Sequence, residues 1–409
     1  MKLKTRVLTA LWFFQVVNYL DRTVISFAAP AIMKSLSLGP KQFGIVLSSF
    51  ALGYFLGQVP GGLIADRWGA RNILVIAPLF WALFTGATGL AATLAGFVVV
   101  RLCFGLSEGL SNAPCWKALG DVFAPQERAR AGSIWLTALP LAPALAGPLM
   151  SLSFVRFGWR HMFMLLALPA LLTALVNWLS LPARNSAPER PASTTSANTI
   201  ETRAPRPSRN FSLWVLAVGY FSYNITYFGY LAWMPTYLAS SRGINLKAIG
   251  YLGSIPYATA CVGLIVIGWL ANSVLKHYLP QLAIVCYLGA ALGLYIAYSG
   301  TTLHGSIAGL CLAAAFLYGA LSPFSAMVLN LAPDHAKGSY ASVVTASGQL
   351  GGVAAPAVIG YMVSASGAFL GGFVLMIIAI VVAAACTALL VPKFAAIRIE
   401  APTPSASVP

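Results

Sequence analysis

GGLIADRWGAR, residues 61–71, sets three glycines, one acid and two arginines between two long apolar runs, at 42–64 and 72–92. Each flanking run is long enough to cross a bilayer as a helix, since about 20 apolar residues span the hydrocarbon core. Charge gathered into so short a break marks a turn at the membrane surface. The composition extends the pattern over the whole chain. Of 409 residues, 59% are hydrophobic and 8% charged, with mean hydropathy +0.81, whereas soluble domains carry roughly 25% charged residues.

Apolar runs recur on both sides of the turn. Six fall near 7–30, 42–64, 72–92, 95–117, 130–152 and 160–181, and six more near 211–239, 247–271, 279–299, 305–330, 339–364 and 368–391. The expected fold is an all-α membrane protein of 12 transmembrane helices in two six-helix bundles, at 1–182 and 211–392. Between them, residues 183–210 are rich in Pro, Ser, Thr, Ala and Arg without apolar periodicity, which reads as a flexible linker. Residues 393–409 read as a tail.

Basic residues orient the chain. Placing both ends on one side puts 17 Lys and Arg there and 6 on the other, with Arg22 and Arg101 inside spans. The positive-inside rule then makes both termini and the linker cytoplasmic, and loop composition points to a bacterial inner membrane, crossed many times. The net charge of +16 belongs to this asymmetry and to contact with the lipid bilayer; a nucleic-acid partner is not expected, because no basic folded domain is present. MKLKTR at the start resembles the head of a signal peptide, but the run behind it passes 20 residues and contains Asp21 and Arg22, so an uncleaved first helix is expected. Six cysteines lie within apolar runs without metal-like spacing and read as small core residues, so no metal is expected. No nucleophile arrangement or soluble catalytic domain stands out, and the chain does not read as an enzyme. A monomer is expected.

Within the opening turn, Gly62 allows close helix approach, Gly69 a tight turn, and Asp66 with Arg67 and Arg71 charged contacts at the membrane surface. Buried charge elsewhere is scarce, which makes its position informative. NYLDR (18–22) places Asn18 and Arg22 one turn apart with Asp21 beside them, and Arg101 and Glu108 stand two turns apart, about 10 Å, with Asn112 a turn further. An arginine stays charged and grips a carboxylate in two places, whereas a buried acid can titrate near neutrality. Four charges on two helices are therefore expected to face one cavity, the arginines for an anion and the acids for a proton. Lys117, nine residues beyond Glu108, reads as a separate interfacial charge. Tyr54 and Gln58 form a further i, i+4 pair; Tyr223 and Tyr227 with Asn224, and Thr345 with Gln349, are the candidates of the second half, where the tyrosines also suit plain packing.

Gly62, Asp66, Arg67, Gly69 and Arg71 match the G-x-x-x-D-R-x-G-x-R signature of the major facilitator superfamily, which the chain resembles along its full length. The resemblance implies alternating access, with these residues and Asp121, beside PQERARAG (125–132), acting as a cytoplasmic gate. The corresponding GWLANSVLK of the second half keeps Lys276 but has Asn272 in place of the acid. Within the superfamily, NYLDR (18–22), LGYFLGQVPGGLIADRWGAR (52–71), RLCFGLSEG (101–109) and WMPTYL (233–238) resemble the anion:cation symporter family, bacterial carriers of sugar acids and phthalate-type carboxylates; the DGxD-like first helix of benzoate-type carriers is absent. That likeness implies import of an organic anion by proton symport, with Asp21 and Glu108 carrying protons, and Arg22 and Arg101 near the anion. Protons are the expected coupling ion, sodium stays open as an alternative, and no cofactor is expected.

Two departures bear on the substrate. WLTALPLAPALAGPLM (135–150) is nearly free of polar groups where sugar-acid carriers place an amide, and Thr345 and Gln349 stand where they often have asparagine. An aromatic or aliphatic acid is thus favoured over a polyhydroxylated one. AGPLM resembles a motif of drug exporters, so proton-coupled export is the alternative, followed by a non-transporting membrane sensor.

Overall fold

The computed structural model describes residues 3–183, 211–333 and 337–400; the expected linker, apart from Ala183, and the end of the expected tail, 401–409, lie outside the described residues. Helices α1 to α7 cover Leu3–Leu36, Pro40–Trp68, Ala70–Leu90, Leu94–Gly109, Asn112–Val122, Pro125–Leu136 and Ala138–Ser180. Helices α8 to α16 cover Phe211–Arg242, Leu246–Leu252, Ile255–Asn272, Leu279–Ser299, Leu303–Gly319, Leu321–Leu331, Lys337–Ser366, Leu370–Ala388 and Val391–Glu400. Ten helical stretches among the described residues are long and apolar enough to cross a membrane. Two more, α1 with 34 residues and α8 with 32, have the length but carry the polar residues of NYLDR and of the tyrosine-rich stripe, which lower their hydropathy. Together these give the twelve expected spans.

Breaks fall where the sequence supplies a cause. The expected fourth span divides into α4 and α5 at Leu110 and Ser111. Pro114 has no N–H to give and its ring crowds the carbonyl four residues back, that of Leu110; the Ser111 N–H turns to the Glu108 carbonyl. The fifth and sixth spans run together as α6 and α7, with the bend inside α7 at Gly158, φ 71°. The start of the fourth span recurs in the second half: Thr93 and Thr302 each accept the N–H of the glycine three residues on, Gly96 and Gly305, satisfying a donor that the first turn leaves orphaned.

By contact the chain forms two compact units, which cut across the sequence halves. One holds 1–204, 228–258 and 352–372; the other holds 205–227, 259–351 and 373–409.

In the first unit α2 lies along α4, and α1 and α3 lie along α7. Glycines set the α2–α4 spacing. A Cβ built on Gly53, Gly57 or Gly61 would come within 3 Å of the backbone at Leu102, Leu106 or Leu110, and one on Gly105 or Gly109 would do the same at Phe50 or Tyr54. Two backbones in direct contact is the small-residue packing that membranes favour, since no hydrophobic drive separates one apolar surface from lipid. Gly62 was the glycine expected to permit this approach; its Cβ would meet only the Ala113 Cβ at 3.5 Å, ordinary contact, and the close glycine is its neighbour Gly61. The error is one of helical phase: Gly61 continues the i, i+4 row of Gly53 and Gly57, and Gly62 lies 100° off it.

At the end of the first unit remote from residue 3, α14 is pinned to α2 and α8. Pro356 interrupts the α14 ladder; the Ala357 N–H donates to Ser48 Oγ at 3.1 Å, and Trp233 Nε1 donates to the Pro356 carbonyl at 3.1 Å. Phe43 and Phe369 flank the Trp233 ring. In the second unit, Gly293 and Gly309 bring α11 and α12 together as the α2–α4 glycines do, and Tyr223 stacks among Tyr220, Tyr227 and Tyr287 with ring centroids 5.8–5.9 Å away.

Candidate functional site

Three helices bring the buried charge together. On α1, Asn18, Asp21 and Arg22 are 4%, 1% and 7% exposed. Asn18 and Arg22 share a face, and Asp21 points about 100° away from Arg22. The consequence is a division that the sequence reading did not contain. Arg22 Nη2 donates to Glu108 Oε2 of α4 at 3.0 Å and to Asn18 Oδ1 at 3.5 Å. Asp21 turns to α3 instead, where its Oδ2 accepts from Trp81 Nε1 at 2.8 Å and Thr85 Oγ1 at 3.3 Å. The expectation of four charges facing one cavity is therefore corrected: Arg22 and Arg101 line the cavity, Glu108 pairs with Arg22, and Asp21 makes its hydrogen bonds to α3 while staying within electrostatic range of Glu108 and Arg101. Trp81 and Thr85 stand one turn apart on α3, which is why both reach the same oxygen.

Arg101 is 1% exposed, and its Nε and Nη2 are buried without a hydrogen-bond partner. Its guanidinium lies over Phe104 at 4.4 Å and Phe50 at 4.9 Å. Arg22 lies over Tyr54 at 4.3 Å, Tyr19 at 4.5 Å and the same Phe50 at 5.1 Å. One ring thus faces two cations, a favourable but partial substitute for water. Oε1 of Glu108 and Oδ1 of Asp21 also lack partners. Buried polar atoms left unpaired are costly, and they mark places where a ligand or a proton completes the arrangement. Tyr54 is buried against Arg22, and the half-buried Gln58, one turn on, keeps an unpaired Nε2. Asn112 is half-buried beyond the α4–α5 break; the straight line from Arg101 through Glu108 to Asn112 is corrected, because Pro114 ends it.

A cavity of about 30 Å³ opens beside the arginines, lined by Arg22, Ser26, Phe50 and Arg101 together with Phe228 and Pro356 among others.

The charged turn forms a second cluster. Asp66 pairs with the Lys117 Nζ, and Arg71 Nη2 donates to the Trp178 carbonyl at 2.7 Å, tying the start of α3 to the end of α7. Gly69 takes φ 85°, the tight turn that favours glycine. The charged contacts expected of this turn thus include Lys117, the interfacial charge of the fourth span, as a partner of Asp66. Asp66, Arg71, Lys117 and the exposed Asp121 surround a pocket of about 130 Å³. Arg67 is exposed. At the same end Lys4 pairs with Glu127, and Arg128 donates to the carbonyls of Gly120 and Phe123.

A family model described as Major Facilitator Superfamily matches residues 11–356. The chain belongs to that superfamily. Its relatives include the hexuronate transporter of Bacillus subtilis, 28% identical over 386 residues and 91% of each chain. The probable L-galactonate transporter of Escherichia coli is 30% identical over 67% of this chain and 63% of its own length, and the probable sulfoacetate transporter of Cupriavidus necator is 28% identical over 90% of each. Two solved structures of a bacterial homologue of the human lysosomal transporter Spinster superpose with TM-scores of 0.80 and 0.81, covering 97% and 99% of this chain and 98% and 100% of theirs at 20% and 19% identity. They bear out the major facilitator fold.

The second-half candidates lie in the second unit. Tyr223 is 2% exposed and its hydroxyl donates to the Leu317 carbonyl at 2.7 Å, so its chemistry is spent inside the helix bundle. Asn224 Nδ2 donates to the Tyr220 carbonyl, Tyr227 is buried beside Tyr318, Thr345 is exposed and Gln349 half-buried. Phe50, Trp81, Thr85 and Phe228 were missed. Of these, Trp81 and Thr85 carried a signal, a polar pair at helical spacing in an apolar span; the phenylalanines carried none.

Proposed function

We propose that this superfamily member imports an organic anion of the carboxylate class by proton symport, through alternating access between two six-helix bundles with both termini cytoplasmic. The observation that carries the reading is the Arg22–Glu108 pair at 3.0 Å beside Arg101, which lines a cavity and whose Nε and Nη2 have no hydrogen-bond partner. An acid engaging one arginine and a second arginine with unsatisfied donors form a receptor for one anion whose strength depends on a proton. Protonating Glu108 weakens its hold on Arg22, and both guanidiniums then face the incoming carboxylate. Proton and anion favour the same form of the carrier, which thermodynamic coupling requires. Asp21, held by Trp81 and Thr85, is a second proton site that does not itself line the cavity. Asp66, Lys117, Arg71 and Asp121 act as the cytoplasmic gate, with Gly62, Arg67 and Gly69 shaping the turn. Relatives named as hexuronate, L-galactonate and sulfoacetate transporters support the anion class.

Purified protein in vesicles tests this. Under an inward proton gradient, labelled carboxylate is expected to accumulate, while Glu108→Gln exchanges carboxylate across the bilayer without accumulating it. Absence of any uptake, or undiminished accumulation by Glu108→Gln, overturns the symport scheme.

A further inference from the structure

The walls of the arginine cavity restrict what can enter. Its hydrogen-bonding side chains are Arg22, Arg101 and Ser26; every other lining residue is apolar, glycine or proline. Phe228 and Leu231 of α8 and Pro356 of α14 share the lining with the arginines. Phe228 is fitted closely there, since a Cβ on the neighbouring Gly352 would stand 2.7 Å from its ring. The Pro356 carbonyl is already taken by Trp233, and the Ala357 N–H by Ser48, so the backbone on that side offers the ligand nothing in their place.

We infer that the ligand is an organic acid with an apolar body, its anionic end on Arg101 and Arg22 and its carbon skeleton against Phe228, Leu231 and Phe50. This rests on the anion-carrier reading and names the substrate class within it. The charged end meets donors that are buried and unpaired, so binding repairs an existing deficit. The cavity of about 30 Å³ has room for only a water or two, so entry requires its walls to part, and the body then meets the carbon of Phe228, Leu231 and Phe50 that this parting uncovers. Each hydroxyl of a sugar acid beyond the one that Ser26 can serve would be stripped of water without a partner, which lowers affinity about tenfold to a hundredfold per group. An aromatic ring, by contrast, gains offset or edge contacts with Phe228 and Phe50. The direction agrees with the nearly apolar 135–150 segment.

The test measures affinity by calorimetry on the purified full-length chain, with benzoate and benzenesulfonate as apolar acids and D-glucuronate as the hydroxylated one. The expected result is binding of an apolar acid at least tenfold tighter than of D-glucuronate, loss of that binding in Arg101→Ala, and a preference narrowed at least threefold in Phe228→Asn. Equal or tighter binding of D-glucuronate overturns the inference and leaves anion carriage standing, as does an unaltered preference in a folded Phe228→Asn. Should none of these acids, galactarate or sulfoacetate bind, the anion-carrier reading itself falls. Phe228→Tyr, which keeps the ring and adds one hydroxyl, guards against misfolding of the asparagine variant and is expected to narrow the preference in the same direction.

Discussion

Replacing Gly57 by alanine places two opposing effects on one atom. Alanine favours a helix over glycine by about 1 kcal/mol, so a glycine without a packing role would be improved by the change. At Gly57 the new Cβ would stand 2.5 Å from the Leu106 carbonyl oxygen and 3.1 Å from the Leu110 nitrogen, short of ordinary contact at 3.4 Å by up to about 0.9 Å. Both obstacles are backbone and cannot rotate away, which puts the cost at the upper end of the usual overpacking range, about 3 kcal/mol. The net loss is about 2 kcal/mol, or roughly 4–8 °C in Tm by the scale of large domains. Function is expected to suffer as well, because relief requires α2 to back away from α4, drawing Phe50 and Tyr54 off the guanidiniums they face. Gly62→Ala is the internal control: its Cβ meets only Ala113 at 3.5 Å, and its Tm is expected unchanged or up to about 4 °C higher. Thermal unfolding of the two variants in detergent, with uptake measured in vesicles, decides the matter. A Tm for Gly57→Ala at or above that of Gly62→Ala would refute the claim that backbone contact sets the α2–α4 spacing.

Two further predictions follow from the polar contacts. Trp81→Phe and Asp21→Ala, combined in a double-mutant cycle of thermal stability, are expected to show about 1.5–3 kcal/mol of coupling, the worth of a hydrogen bond to a charged acceptor; strict additivity would mean that the 2.8 Å contact carries no energy. Lys117→Met is expected to shift Tm by no more than about 4 °C, since the side chains of the Asp66 pair are 33% and 72% exposed and such pairs contribute at most about 1 kcal/mol, while slowing uptake severalfold. A variant that transported at the normal rate would remove Lys117 from the gate.

Several levels of the protein could be read without coordinates, and the dividing line has a physical origin. Hydropathy fixes which stretches enter lipid, because the cost of an unpaired charge there dwarfs any local preference; hence the twelve spans and the isolation of Asp21, Arg22, Arg101 and Glu108 were legible. Helical period is equally local, so the pairing of Asn18 with Arg22 was too. Local period also held the clue to Gly53, Gly57 and Gly61, and it went unread in favour of Gly62. What the chain alone did not decide is direction and partnership between helices. Whether Asp21 turns to Arg101 or to Trp81, whether Lys117 meets Asp66, and which phenylalanines roof the arginine cavity depend on how α1, α3 and α4 are rotated and on the bend that Pro114 puts in the fourth span. A one-dimensional pattern specifies a helix face only to within its own axis. The neighbour across that face is chosen by close packing of all the helices at once, where glycine ladders bring two backbones into contact and a single proline redirects half a span.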